Sequence, residues 1–385
     1  MTQIKEDRLT LRQSLPKSGS QEDARMDLSG WIEPLLEGLG EGETVALAGL
    51  LVGILFGVSA QKSGFCLRAS VVEFSRGQLG PRMAVWLLCF STALLWTQTL
   101  IAAELLDISE SRWLGQPGSI SGAILGGLIF GAGMVLARGC PGRLLVLAAT
   151  GNLRAILSGL VFAVMAQVSL HGLFAQPRAA IAGEVVTDGP NPDLLVLAGV
   201  PAWGGITLGL AFAALALLLA VRNRVSPRLL IFGSGVGFAA AAGWWITYEL
   251  SLMTFDPTPV ESLTFSGPSA DTLMFVLTPD HGFDFDIGLV PGVFLGAFLA
   301  ALHGRELAWQ GWSGAQSMHR YLIGAAAMGF GAMLAGGCSI GAGVSGGSAM
   351  ALTAWIALTA MWVGGAVTDA LLDKGGETSP VRAGA

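Results

Sequence analysis

GGLIFGAGMVLARGC, residues 126–140, and GAAAMGFGAMLAGGC, residues 324–338, are two versions of one segment. Gly126, Gly131, Gly133, Leu136, Ala137, Gly139 and Cys140 of the first recur as Gly324, Gly329, Gly331, Leu334, Ala335, Gly337 and Cys338 of the second. Each reads as an apolar helix of small residues that breaks at glycine and presents one thiol. Duplicated broken helices in a membrane chain point to a transport site near mid-membrane, where the ends of half-helices meet.

The rest of the chain agrees with a bilayer setting. Hydrophobic residues make up 52% and charged residues only 12%, where a soluble domain carries about a quarter charged; mean hydropathy is +0.64. The 55 glycines cluster inside apolar runs, where they let helices approach closely or break. A net charge of −6 gives no ground for a nucleic-acid partner. Nine stretches, at 45–61, 82–106, 119–137, 153–175, 203–221, 229–247, 286–303, 321–336 and 348–370, approach the roughly 20 residues that a spanning helix needs. The fold class expected is therefore an all-α integral membrane protein of about nine transmembrane helices. Residues 1–44 read as a polar N-terminal tail without a signal-peptide core, and 371–385 as a C-terminal tail.

Three pieces, 64–76, 140–150 and 338–348, are too short to cross and too apolar for surface loops. They read as re-entrant half-helices, since irregular backbone at membrane depth survives only where protein or water covers it. A second likeness joins GILFGVSA (53–60) to GSGVGFAA (233–240) through Gly53/Gly233, Gly57/Gly237 and Ala60/Ala240. The chain thus predicts two inverted pseudo-symmetric halves, about 45–175 and 229–370, joined by a connector helix at 203–221. The fourth equivalent break is expected at Gly243-Trp244-Trp245, which has no cysteine.

Four cysteines are present, with no C-x-x-C and no histidine at ligand spacing, so neither a metal, a cofactor nor a catalytic centre is expected. Cys89 sits mid-helix in LLCFS and reads as packing. Cys66, Cys140 and Cys338 sit at helix breaks, in Gly64-Phe65-Cys66, Gly139-Cys140-Pro141 and Gly337-Cys338-Ser339. Backbone N–H groups at the helix starts beside Gly64, Gly139, Pro141, Gly337 and Ser339 are candidates for holding an anion. Arg68, Arg138 and Arg143 lie close by and read either as an electrostatic funnel or as membrane-edge anchors. Trp244, Trp245, Trp309 and Trp312 read as interface anchors. No Asp or Glu falls mid-span, which argues against a built-in proton relay.

The runs SGFCLRAS (63–70), GAGMVLARGCPGR (131–143) and LAGGCSIG (334–341) resemble those of the YeeE/YedE family of bacterial inner-membrane sulfur transporters, and the resemblance extends over essentially all of 45–370. It implies an hourglass-like inverted-repeat fold and uptake of thiosulfate or a related sulfur anion across the bacterial inner membrane. It also implies a central path lined by the thiols of three motif cysteines, which fall here on Cys66, Cys140 and Cys338. A small TusA-like sulfur-carrier protein in the cytoplasm is the partner it implies, and no carrier domain is expected within this chain. The acidic loop 248–285 is longer than the resemblance explains.

The chemistry suits such a cargo. Thiosulfate is a dianion with one soft sulfur and three hard oxygens, and hydration lost in the membrane must be replaced. Half-helix starts supply N–H groups, and neutral thiols supply weak S–H donors. Several weak stations in series permit passage without trapping. A membrane thiol enzyme or sulfur-relay protein, a transporter of a selenium compound, and a membrane scaffold remain as alternatives. Arg222, Arg224 and Arg228 in one short loop, with Arg305 and Arg320 flanking another, place the N-terminus outside and the C-terminus inside; the basic N-terminal tail opposes this.

Overall fold

A computed structural model describes residues 29–374 except 202, 256–257, 279–281 and 312–314. The helix α1 (Ser29–Leu39), which contains Pro34, belongs to a small unit separate from the body that begins at Gly40. The body runs α2 (Glu41–Ser63), α3 (Leu67–Ser75), α4 (Pro81–Ala102), α5 (Ile120–Leu136), α6 (Pro141–Ala149), α7 (Leu153–Leu170), α8 (Ala175–Gly183) and the single turn α9 (Leu194–Leu197). It continues with α10 (Trp203–Arg222), α11 (Pro227–Met253), α12 (Gly267–Leu277), α13 (Phe285–Gly304), α14 (Ala315–Leu334), a π-helical turn (Gly341–Gly346) and α15 (Leu352–Lys374). No strand occurs among the described residues. Side-chain oxygens start several helices: Ser119 accepts from the Gly122 N–H, Asn152 from Ala155, Ser226 from Leu229 and Asp284 from Ile287.

Eight stretches of the described chain are long and apolar enough to cross a bilayer. The ninth expected span, 321–336, is the 20-residue helix α14, which falls outside those eight because Gln316, His319 and Arg320 dilute its first turns. Two boundaries move: the first spanning helix starts at Glu41, inside the expected tail, and the last runs to Lys374. Residues 1–28 and 375–385 of the two expected tails lie outside the described residues.

Glycine sets how closely the helices approach. Gly49, Gly53 and Gly57 of α2 face α13, which returns Gly288, Gly292 and Gly296 at the same four-residue spacing. A Cβ on Gly53 would meet the Gly292 Cα at 3.0 Å and the Val293 N at 2.9 Å, so the two backbones touch.

The two quoted segments pack against each other. Gly126 of α5 lies on the Gly331 carbonyl of α14, and Gly324 of α14 lies on the Gly133 carbonyl of α5. Exchanging Gly126 for Gly324 and Gly331 for Gly133 turns one contact into the other. The neighbours follow the same exchange: Gly131 of α5 packs on Met361 and Gly365 of α15, and Gly329 of α14 packs on Phe162 and Ala166 of α7. Likewise α2 lies against α13 while α11 lies against α4, and α10 leans on α4.

The fourth break differs from expectation. Helix α11 runs unbroken through Gly243-Trp244-Trp245, because Gly243 serves packing there: a Cβ on it would meet Ser262 Oγ at 3.1 Å. Trp244 is fully buried and anchors no interface. Trp309 is exposed, and Trp312 lies outside the described residues. The fourth inward segment is instead Ser262–Ser266, buried throughout, leading into the short helix α12. The unexplained loop 248–285 contains this segment.

Candidate functional site

The cysteine corners share one construction. Helices α2, α5 and α14 end at a residue in the left-handed region, Gly64 (φ 61°), Arg138 (φ 56°) and Gly336 (φ 76°), and a cysteine follows two residues later. The turn therefore sits one residue before the Gly139 and Gly337 that the sequence nominated. Arg138 occupies the place of Gly336, a conformation that costs a non-glycine residue about 1–2 kcal/mol. Cys66 and Cys140 then take extended backbone and cap α3 and α6, with Pro141 opening the latter. These helices are nine residues each, and their first N–H groups have no acceptor within their own helix.

Cys338 is sealed from solvent, Cys140 nearly so, and Cys66 is partly exposed. All four cysteines are free. The Cys338 Sγ accepts from the Phe265 N–H at 3.3 Å and from the Gly341 N–H at 3.5 Å. With those two N–H groups on its sulfur, the Cys338 S–H remains available as a donor. The Cys140 thiol lies beside the Ser339 side chain and the Arg143 backbone N–H, and within electrostatic reach of both Cys66 and Cys338. Even so, Ser339 Oγ makes no hydrogen bond of ordinary geometry, and it is fully buried. Arg143 Nη1 and Arg68 Nε are likewise sealed and without partners. Buried donors of this kind are rare in native proteins and call for an explanation.

Arginines gather on the side of Cys66 and Cys140. Arg143 is within reach of Cys66, Cys140, Arg82 and Glu306. Arg68 is within reach of Cys66, Arg138, Arg320 and Asp369. Arg138 and Arg154 lie over the Tyr321 ring at 5.7 and 4.9 Å, and Arg154 donates to the Ala137 carbonyl at 2.8 Å. At the same end Glu306 pairs with Lys62 at 3.2 Å. The Gly64 carbonyl accepts from Arg82 Nη1 at 3.4 Å. The other end of the bundle is acidic: Glu261 and Asp286 are each within electrostatic reach of Asp271, Asp284 and Arg112.

Sequence reasoning missed the inward segment Ser262–Ser266. Its Phe265 ring packs on Phe56, with centroids 5.0 Å apart, and covers Gly142 of α6. Its N–H meanwhile holds Cys338, so one residue touches both cysteine corners. Thr264 and Ser266 share a hydrogen bond of 3.0 Å, and Ser345 donates to the Leu263 carbonyl at 2.6 Å. A signal existed: Phe65-Cys66 before α3 recurs as Phe265-Ser266 before α12. Cys89, as expected, is buried mid-helix in α4. Among the described residues, no cluster of three His, Cys, Asp or Glu side chains fits a metal ion.

The profile of a protein family described as sulphur transport matches residues 62–367. The thiosulfate transporter TsuA of Escherichia coli K12 is 25% identical over 345 residues, spanning 83% of this chain and 93% of the relative. The thiosulfate transporter TsuA of Spirochaeta thermophila is 27% identical over 326 residues, spanning 80% and 93%.

Proposed function

Because the chain belongs to the sulphur transport family, we propose that it carries thiosulfate, or a closely related sulfur anion, across the bacterial inner membrane along a path past Cys66, Cys140 and Cys338. The observation that carries this reading is the group of sealed, unpartnered donors at the middle of the bundle. Arg143 Nη1 lacks a partner and Ser339 Oγ meets only the Cys140 thiol, which is itself within reach of the other two thiols. A bound oxyanion supplies the missing acceptors. Its three oxygens suit Ser339, Arg143 and the first N–H groups of α6, and its soft sulfur suits the thiols.

The exchange symmetry of the α5–α14 contacts supports two inverted repeats, about 45–175 and 229–370, whose half-helices meet at this point. Cys66, Cys140 and Cys338 fill three of four corners, and Ser266 fills the fourth. Backbone at Gly64, Gly139, Pro141, Gly337 and Ser339 shapes the corners. Arg68, Arg138 and Arg143 form the electrostatic funnel. Since Arg222 closes α10, Arg224 follows it and Arg228 opens α11 at the arginine-rich end, that end is cytoplasmic, with the N-terminus outside and the C-terminus inside. A TusA-like carrier protein collects the sulfur there. Moving a dianion inward against an inside-negative potential costs about 4.6 kcal/mol per 100 mV, twice the cost for one charge. Accumulation therefore requires consumption inside or a further control on entry.

Purified protein in liposomes tests the reading through uptake of labelled thiosulfate. Cys66→Ala, Cys140→Ala and Cys338→Ala should each lower the rate at least tenfold with normal reconstitution, and Cys89→Ala should leave it within twofold. Equal loss in all four, with poor reconstitution throughout, refutes the path and favours a packing role.

A further inference from the structure

We propose that Glu261 and Asp286 form a proton-binding site at the acidic mouth of the bundle, and that the dianion enters from this side when the site is protonated. The proposal rests on the transport reading above.

The first support is an orphan group. Asp286 Oδ1 is sealed from solvent and has no hydrogen-bond partner. A carboxylate oxygen in that condition is costly, and a proton turns it into a donor or neutralises it. The second support is convergence. Asp286 Oδ2 and Asp271 Oδ2 each lie 3.5 Å from the place a Cβ would take on Gly267, at the start of α12. Asp284 caps α13 by accepting from the Ile287 N–H at 2.8 Å.

Among the described residues, the charged groups that act on the pair are Asp271 from α12, Asp284 before α13 and Arg112 from the segment between α4 and α5. On helix α11, Thr247 holds the Glu261 N–H and carbonyl at 3.1 and 2.6 Å, and the titratable Tyr248 and Glu249 follow it with interactions of their own. Among the described residues, Arg112 is the cation that acts on both Glu261 and Asp286. Arg112 is also committed elsewhere, donating to the Gly336 carbonyl at 2.7 Å and lying 5.2 Å over the Trp113 ring. Burial lifts the Glu261 carboxyl to about 7; Arg112 opposes the lift, and Asp284 and Asp271 add to it.

The third support is continuity with the path. Glu261 leads directly into Ser262–Phe265, whose last N–H holds Cys338 Sγ. Arg112 grips the carbonyl of Gly336, two residues before the same cysteine. The acidic mouth is thus built onto the frame of the Cys338 corner. With the carboxylates charged, the mouth repels a dianion. A proton taken from the medium on that face forms an O–H on one carboxylate and removes one charge beside the sealed Asp286 Oδ1. The proton returns to the same face when it leaves, so no net reaction accompanies the event.

The test is equilibrium exchange of labelled thiosulfate by the full-length protein in liposomes, with equal thiosulfate and equal pH on both sides. No gradient drives this exchange, and thiosulfate, the anion of a strong acid, stays a dianion throughout the range used. Wild-type exchange should fall about tenfold as pH rises from 6 to 8, with its midpoint near 7. Glu261→Gln should exchange at pH 8 at the rate wild type shows at pH 6, with a flat profile. If that variant fails to reconstitute, Asp286→Asn should give the same flat profile, and Asp271→Asn should move the midpoint down while keeping the fall. A wild-type rate independent of pH, or an unchanged profile in both Glu261→Gln and Asp286→Asn, overturns the proposal and leaves transport standing. No exchange by wild type at any pH refutes the transport reading itself.

Discussion

Asp369 and Arg76 should be unequal partners. Asp369 sits on α15 and accepts from Arg76 Nε at 3.0 Å, Arg76 Nη2 at 3.1 Å and Ser75 Oγ at 3.1 Å. The pair ties the outer end of α3, whose inner end is Cys66, to a spanning helix. Its two sides differ in exposure: the Asp369 side chain is 8% exposed and the Arg76 side chain 48%. Arg76→Ala strands a carboxylate in a nearly dry place. Breaking a fully buried pair costs about 3–5 kcal/mol. The half-exposed arginine, together with Ser75 and the nearby Arg68, reduces this to about 2 kcal/mol. Asp369→Ala leaves an arginine that water can solvate, at about 0.5–1 kcal/mol, as for surface pairs. The double variant should resemble Asp369→Ala, because removing the acid removes the reason the base is needed. Thermal unfolding of purified protein in one detergent measures all three. Asp369→Ala proving as damaging as Arg76→Ala, or strictly additive losses in the double variant, would refute this reasoning.

Three further outcomes are expected. Gly53→Val should lower folded yield and melting temperature by an amount equivalent to about 3 kcal/mol or more, since its side chain meets α13 backbone rather than movable atoms; membrane expression and thermal scans measure this. Cys140→Ser should retain partial uptake, above Cys140→Ala, if the thiol donates a hydrogen bond; activity as low as in the Ala variant, with a sulfur adduct in mass spectra of protein quenched during uptake, would point to nucleophilic chemistry. The Glu261 carboxyl holds its proton up to about pH 7 when folded, against 4.5 ordinarily. Its contribution to stability is therefore full below pH 4.5 and lost as pH rises through 7, and Glu261→Gln should flatten that decline in melting temperature.

What the sequence disclosed and what it hid divide along physical lines. The paired Gly-Cys segments were legible because a close helix crossing needs glycine at fixed spacing, and Gly126, Gly133, Gly324 and Gly331 record that need directly. The Cys66, Cys140 and Cys338 corners were legible because each follows an apolar helix that stops. The position of the turn was less so: Arg138 takes a left-handed conformation that only context makes tolerable, and nothing in its identity announces it. The fourth corner was hidden because Gly243 looks like a helix breaker but serves packing, while Ser262–Ser266 achieves entry with hydroxyls that resemble an ordinary polar loop. Trp244, read as an interface residue, is buried because helices cover it from several sides, which no local pattern encodes. The meeting of Asp286 with Asp271 at Gly267 depends on the starts of two helices coming together, so composition showed only that the loop is acidic.

The most direct test of the central claim is a map of the protein with thiosulfate bound. The account predicts one dominant ligand density between the two Gly-Cys corners, in hydrogen-bond reach of Cys140, Ser339 and Arg143 and close to Cys338, lost in Cys140→Ala. Saturating thiosulfate with that space filled by protein alone, and the ligand seated elsewhere, would contradict it.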